Sequence, residues 1–234
     1  MPKEAKVGTH AMVSRVLAGD TTMSENYSDA VEFNACGYGA ACGQLLTADR
    51  LCELGPAAPR AERRPALTAL GEAALFESQA IVDRSMAAAC LAGLWLLHDF
   101  LDESHTISQG IHTTTGSYWH GIMHRREPDF SNAKYWFRRV GDHPVFEPLW
   151  RAARRLANQF PADQATSFLT QQTAWDPFAF VDLCESVGRS RASREAANRE
   201  ILCRQIARAE WELLFDYSYR MAVGDTARSS AGKK

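Results

Sequence analysis

AIVDRSMAAACLAGLWLLHDFLDESH, residues 80–105, is the stretch on which the fold turns. It holds one glycine and no proline, and Met86, Cys90, Leu94, Leu97 and Leu101 recur by steps of four and three. That period belongs to a helix. The middle of the stretch is apolar nearly all round, which suits a central helix rather than a surface one. The reading is one long buried helix over 80–105. Its most apolar run, 87–97, is too short to span a bilayer and is followed at once by HDFLDE.

The neighbouring segments follow the same period. Leu67, Leu70, Ala74 and Phe76 mark a helical stretch after a proline-rich loop at 54–65. Residues 113–117 carry a helix-start signal for YWHGIMHRRE, and Pro128 ends that helix. Ser131 or Asn132 can cap AKYWFRRV, with Gly141 as its terminator. Asp176-Pro177 is a cap followed by proline at the first helical position. A last helix over about 190–221 shows Leu202, Ile206, Ala209, Leu213 and Tyr217 on one face. No segment alternates apolar and polar residues with β-branched side chains over a useful length. The expected fold is all-α: a single helical bundle-like domain over 31–222, with a long central helix and a long C-terminal helix. A polar segment, 1–30, precedes it as a partly disordered arm, and 223–234 is a flexible tail.

Composition narrows the function classes. The chain has 234 residues, 46% hydrophobic and 23% charged, with a formal net charge of −2. One sizeable core is within reach. The charge balance argues against nucleic acid and membrane surfaces as partners of the whole protein. Six cysteines without a CxxC pair read as reduced, mostly buried thiols rather than a zinc site. No apolar leader stands at the N-terminus, so the expected location is cytoplasmic. A homo-oligomer is compatible with this composition.

The chemistry concentrates in the middle of the chain. Six of the seven histidines fall between positions 98 and 143. On a continuous 80–105 helix, His98, Asp102 and His105 share a face, because positions seven apart nearly eclipse. His120 and His124 stand four apart on the next helix, the HxxxH spacing that presents two imidazoles to a divalent metal. Facing each other, the two helices offer His98, Asp102, His105, His120 and His124 as ligands for a divalent transition metal. The identity of the metal stays open between Zn, Fe, Mn, Ni and Cu. A metal-free acid/base histidine site and a purely structural polar network are the competing readings of the same residues.

Arginine adds a second theme. Residues 125–155 hold eight basic and four acidic side chains, seven of the basic ones arginine. A guanidinium fork matches phosphate or carboxylate. The candidate site therefore has His98, His120 and Glu127 in catalytic roles, and Tyr118, Arg125, Arg126, Asn132 and Arg139 as substrate-binding groups. The expected function is a metal- or histidine-dependent enzyme, hydrolase-like, acting on a small anionic molecule. The alternative is a non-catalytic helical module that binds an anionic ligand or a protein partner. No P-loop, GxGxxG or GxSxG is present, so no nucleotide cofactor is expected.

Two resemblances attach to these residues. WLLHDFLDE resembles the His-Asp motif of the HD-domain metal-dependent phosphohydrolases, with His98 and Asp99 as the matching dyad. That resemblance implies an all-α fold and metal bound at the dyad. The family also uses a histidine upstream, where this chain has His10 alone. YWHGIMHRREPDFSNAKYWFRRVGDHPVF, with LHDFLDESH, resembles an uncharacterised bacterial all-α family, a resemblance that imports no function.

Overall fold

A computed structural model describes residues 33–46, 51–77, 79–190 and 192–225. The expected N-terminal arm and all but the start of the expected tail lie outside the described residues. Within them the chain is helical, and no residue is in a strand. A 3-10 turn at Ala35–Tyr38 leads into α1 (Ala40–Leu46), and another at Ala61–Arg63 leads into α2 (Arg64–Ala69) and α3 (Glu72–Leu75). Then come α4 (Arg84–Leu97), α5 (Leu101–Ser108), α6 (Thr114–Arg126), α7 (Phe130–Val140), α8 (Phe146–Ala157), α9 (Phe168–Gln171), α10 (Pro177–Arg189) and α11 (Arg194–Val223). Among the described residues no helix is long and apolar enough to cross a membrane.

The stretch that opened the reading is two helices, not one. α4 ends at Leu97, and Asp99 adopts the left-handed conformation at φ 66°. The amide of Phe100 bonds back to the Trp95 carbonyl at 3.0 Å, and that of Asp99 to the Leu96 carbonyl at 3.1 Å. This paired pattern is the Schellman stop, and it comes with its usual apolar clasp: the Trp95 and Phe100 rings meet edge-on at 5.2 Å. Glycine normally occupies the left-handed position because it has no Cβ to clash. Here an aspartate takes it, and its carboxylate accepts a hydrogen bond of 2.6 Å from Arg126 on α6. A short polar side chain tolerates this conformation best after glycine.

The other boundaries follow local chemistry. Thr113 Oγ1 accepts from the Gly116 amide at 3.0 Å and starts α6. Asp176 accepts from the amides of Phe178 and Ala179, with Pro177 at the first position of α10. Ser193 starts α11 in the same way, and the 30-residue helix closes on Gly224 at φ 76°. α7 begins earlier than expected. Its cap is Asp129, accepting from the Asn132 amide at 3.1 Å, not Ser131 or Asn132.

α6 is the central element, with every residue from Thr115 to Arg126 buried. It packs against α4, α5 and α7. Two glycines make the approach close. A Cβ on Gly93 of α4 would stand 2.8 Å from the Trp119 ring, and one on Gly121 of α6 would stand 3.1 Å from the Phe137 ring on α7. The Gly93 carbonyl also accepts from the Trp211 indole at 2.9 Å, which ties α4 to α11. Because α7 lies so tightly on α6, side chains from the first turns of α7 reach the histidines of α6.

Candidate metal centre

His120 and His124 leave α6 one turn apart, and His105 reaches them from α5. The ring centroids stand 4.7 Å apart for His105 and His120, 5.3 Å for His105 and His124, and 4.7 Å for His120 and His124. One nitrogen from each ring can be chosen so that all three lie within 4.8 Å of one another. Nitrogens that share one tetrahedral ion stand roughly 3.3 Å apart. His120 and His124 are buried, and His105 is half-buried, so α5 forms the open side.

Ser108 Oγ lies 3.3 Å from the His105 carbonyl and 3.3 Å from His120 Nδ1, and its rotatable hydroxyl can serve either. The tautomer of His124 is set by a carboxylate: Glu127 accepts from Nδ1 at 3.0 Å, which leaves the lone pair on Nε2. A histidine that binds metal commonly has its other nitrogen held in this way. Trp136 of α7 stacks on His120, centroids 4.0 Å apart and planes at 28°, and fixes the ring.

The electrostatics keep the two buried rings, His120 and His124, neutral. Burial, with His124 and His105 alongside, holds the His120 pKa down to about 3. Burial also lowers that of His124, against the pull of Glu127 in the other direction. Desolvation disfavours the imidazolium, and like charges at this spacing oppose one another. At neutral pH the buried pair therefore offers neutral nitrogens, and a metal need displace no proton from it. Three nitrogens without a carboxylate among them suit zinc, copper, iron or nickel better than magnesium or calcium.

The expected convergence of five ligands is thus a convergence of three. The Schellman stop turns α5 away from α4, so His98 and His105 no longer share a helix face. His98 is buried and its Nε2 sits 3.1 Å from the Leu45 carbonyl. Burial, then the charge of Arg60, lowers its pKa to about 4. Asp102 stays on α5 but is exposed, outside the histidine group. Asp99, the other half of the HD-like dyad, is paired with Arg126.

The expected anion binders divide. Arg125 is 2% exposed and forms a double contact with the fully buried Glu210 of α11, which also accepts from the Tyr118 hydroxyl at 3.1 Å. Arg126 is 5% exposed and serves Asp99 and the Gly55 carbonyl. These two arginines and Tyr118 face the interior, where a buried cation has to be matched by a carboxylate. Arg139 is exposed, over the Trp136 ring at 5.3 Å and the Tyr135 ring at 5.9 Å. Glu127 and Asn132 do come to the site, but both engage His124: the Asn132 amide nitrogen lies 3.1 Å from Nε2 and 3.4 Å from Nδ1.

Ser108 and Trp136 are the site residues that sequence reasoning passed over. Trp136 stands where an amphipathic helix places a large apolar anchor, and it is half-buried against His120. The usable signal for Ser108 is its place one turn after His105. His143, the sixth histidine of the dense stretch, is buried elsewhere, with Thr115 Oγ1 at 3.1 Å from Nε2 and the Val145 amide donating to Nδ1 at 3.2 Å. Comparison with protein-family models, with curated proteins and with solved structures finds no match for the chain.

Proposed function

We propose that the protein is a metal-dependent, hydrolase-like enzyme whose ion is held by His105, His120 and His124 and whose substrate is a small anionic molecule. The observation that carries this reading is the set of three imidazoles with one nitrogen of each gathered within 4.8 Å, one of them with its proton fixed on Nδ1 by Glu127. Three neutral ligands leave the full charge of a divalent ion uncompensated. Such an ion lowers the pKa of bound water and attracts an anion. Three protein ligands with one open position is the usual design of a catalytic zinc site. Attraction of the substrate then rests on the ion, with Arg139 as the exposed guanidinium nearby, since Arg125 and Arg126 are spent on internal carboxylates. Glu127 supports His124 in this reading and is not the free base.

A second reading draws on Asn132. Its amide nitrogen lies 3.1 Å from Nε2 and 3.4 Å from Nδ1 of His124, against the face of a ring that Glu127 already holds, so polar contacts surround the histidine without an ion. That favours a metal-free binding module for an anionic ligand or a protein partner. One experiment separates the two. The purified full chain is stripped with chelator, reloaded with zinc, cobalt, nickel or iron, and assayed on a panel of phosphate and carboxylate esters. The enzyme reading expects turnover that appears on reloading and is absent from His105→Ala. Equal behaviour of stripped and reloaded protein, with no metal retained, contradicts it.

A further inference from the structure

α7 runs antiparallel to α6 across the histidine centre, and its contacts give the register. Asn132 lies against His124, 3.1 Å from Nε2. Trp136 stacks on His120 with centroids 4.0 Å apart, and the Phe137 ring meets Tyr118 at 5.5 Å. As α7 advances, its partners on α6 fall back from position 124 to position 118. Positions 132, 135, 136 and 139 stand three and four apart, so they share one face of α7. Beyond the histidines that face ends in Arg139.

Arg139 is exposed, yet its side chain is held. The guanidinium carbon sits 5.3 Å from the centre of the Trp136 ring and 5.9 Å from that of Tyr135, within the range at which an aromatic face attracts a cation. Its Nη1 donates a long hydrogen bond, 3.5 Å, to the Tyr135 hydroxyl. Among the described residues no carboxylate pairs with it, in contrast to Arg125 and Arg126. His120 is buried and meets the indole from the core side; Arg139 is exposed and meets it from the solvent side. One indole thus stands between the metal centre and an unneutralised cation. A small anion seated on the ion does not wrap round that ring to reach the guanidinium. A second anionic group on the same molecule does.

We propose that Arg139 is a specificity-determining residue that takes a second anionic group, on a substrate whose first anionic group sits on the ion of the trihistidine centre. The proposal rests on the metal reading of the three histidines. It narrows the substrate from a small anion to a molecule with two anionic groups at a set separation. A guanidinium fork matches a carboxylate or a phosphate. Held on two rings, this one gives up less freedom on binding than a loose surface arginine. Because it is exposed, solvent and salt screen its charge, so it selects through contact and not at long range.

Linear dicarboxylates measure that separation. The full chain is stripped and loaded with cobalt(II), and its visible bands are followed during titration with glutarate, adipate, pimelate and suberate, each beside the monocarboxylate of the same carbon number. Parent, Arg139→Gln and Arg138→Gln are compared. Arg138 is the exposed neighbour off the shared face, and its loss removes the same charge. In the parent, one dicarboxylate is expected to bind about tenfold more tightly than its monocarboxylate, the effect of one added charge-assisted hydrogen bond. Arg139→Gln is expected to bring that dicarboxylate down to the level of its monocarboxylate, and Arg138→Gln to keep the preference. If the parent prefers no chain length, or Arg139→Gln keeps the preference, Arg139 takes no second anion while the metal reading stands. If Arg138→Gln loses as much as Arg139→Gln, the effect is diffuse charge and the proposal is overturned. If cobalt binds but its bands answer to no carboxylate, the ion accepts no such anion and the proposal is wrong. If the parent binds no cobalt, the metal reading fails and the proposal falls with it.

Discussion

α6 carries two constellations of costly side chains, and they differ in how their cost is met. On one side, Tyr118, Arg125 and Arg126 enter the core and find carboxylates there, Glu210 from α11 and Asp99 from the helix break. Every full charge has an opposite charge in contact. On the other side, His120 and His124 meet a third histidine, and the Glu127 carboxylate accepts from His124. The first group is complete as it stands. The second is a set of three imidazoles whose nitrogens gather within 4.8 Å of one another. Buried opposite charges in contact are what a scaffold uses; converging lone pairs are what a ligand uses.

The largest expected effect falls on the first region. Glu210→Gln leaves Arg125 buried without a counter-charge, and breaking one partner of such a pair costs about 3–5 kcal/mol. His105→Ala, on the half-buried rim of the second region, should change the stability of metal-free protein by about 1 kcal/mol or less. Urea unfolding of both variants tests this contrast. Equal losses would erase the distinction between scaffold and site.

Acid acts on the scaffold through two other histidines. His98 and His143 are buried, and burial holds each near a pKa of about 4. In the unfolded chain each has its ordinary value of about 6.5. The unfolded state therefore takes up protons first as pH falls, and the native state resists until about 4. Their contribution is complete above about pH 6.5 and is lost between there and about 4, at up to ~1.4 kcal/mol per pH unit for each ring. Urea midpoints of chelator-treated protein at pH 7.5, 6 and 5 should fall steadily. Midpoints that hold level over this range would show that these rings do not stay neutral in the native state.

The smallest effect sharpens the link between the two regions. Gly121→Ala adds a Cβ 3.1 Å from Phe137. Overpacking costs roughly 1–3 kcal/mol, against about 1 kcal/mol gained from alanine's better helix propensity. The net loss of stability is expected to be slight. Metal affinity should drop as well, because Phe137 is the contact through which α7 presents Asn132 and Trp136. A variant that melts earlier yet binds metal as the parent does would uncouple α7 from the site.

What the sequence made legible was local. Thr113 and Pro128 bracket α6, Asp176-Pro177 opens α10, and the HxxxH spacing puts His120 and His124 on one face. What it hid was carried by distant partners. The stop after Leu97 has neither glycine nor proline to announce it; Asp99 holds the left-handed position while paired with Arg126, 27 residues away. That stop separates His98 and Asp102 from His105, which reached the site although the continuous helix that first pointed to it does not exist. Arg125 read as an anion binder because its carboxylate lies 85 residues downstream, on α11. Trp136 and Ser108 escaped notice because an aromatic and a serine on amphipathic helices look like core and surface until the facing helix is known.

The most direct test of the central claim is a cobalt(II) titration of chelator-stripped full chain, parent against His105→Ala. His105 is the variant of choice because its side chain is half-buried and its loss leaves the core intact. The parent is expected to bind one ion per chain, with visible bands of a nitrogen-rich centre, and His105→Ala to lose nearly all of both while the melting temperature of the stripped protein stays close to parental. Binding of equal strength and equal spectrum in the two proteins would contradict it, and so would a parent that takes up no ion at all.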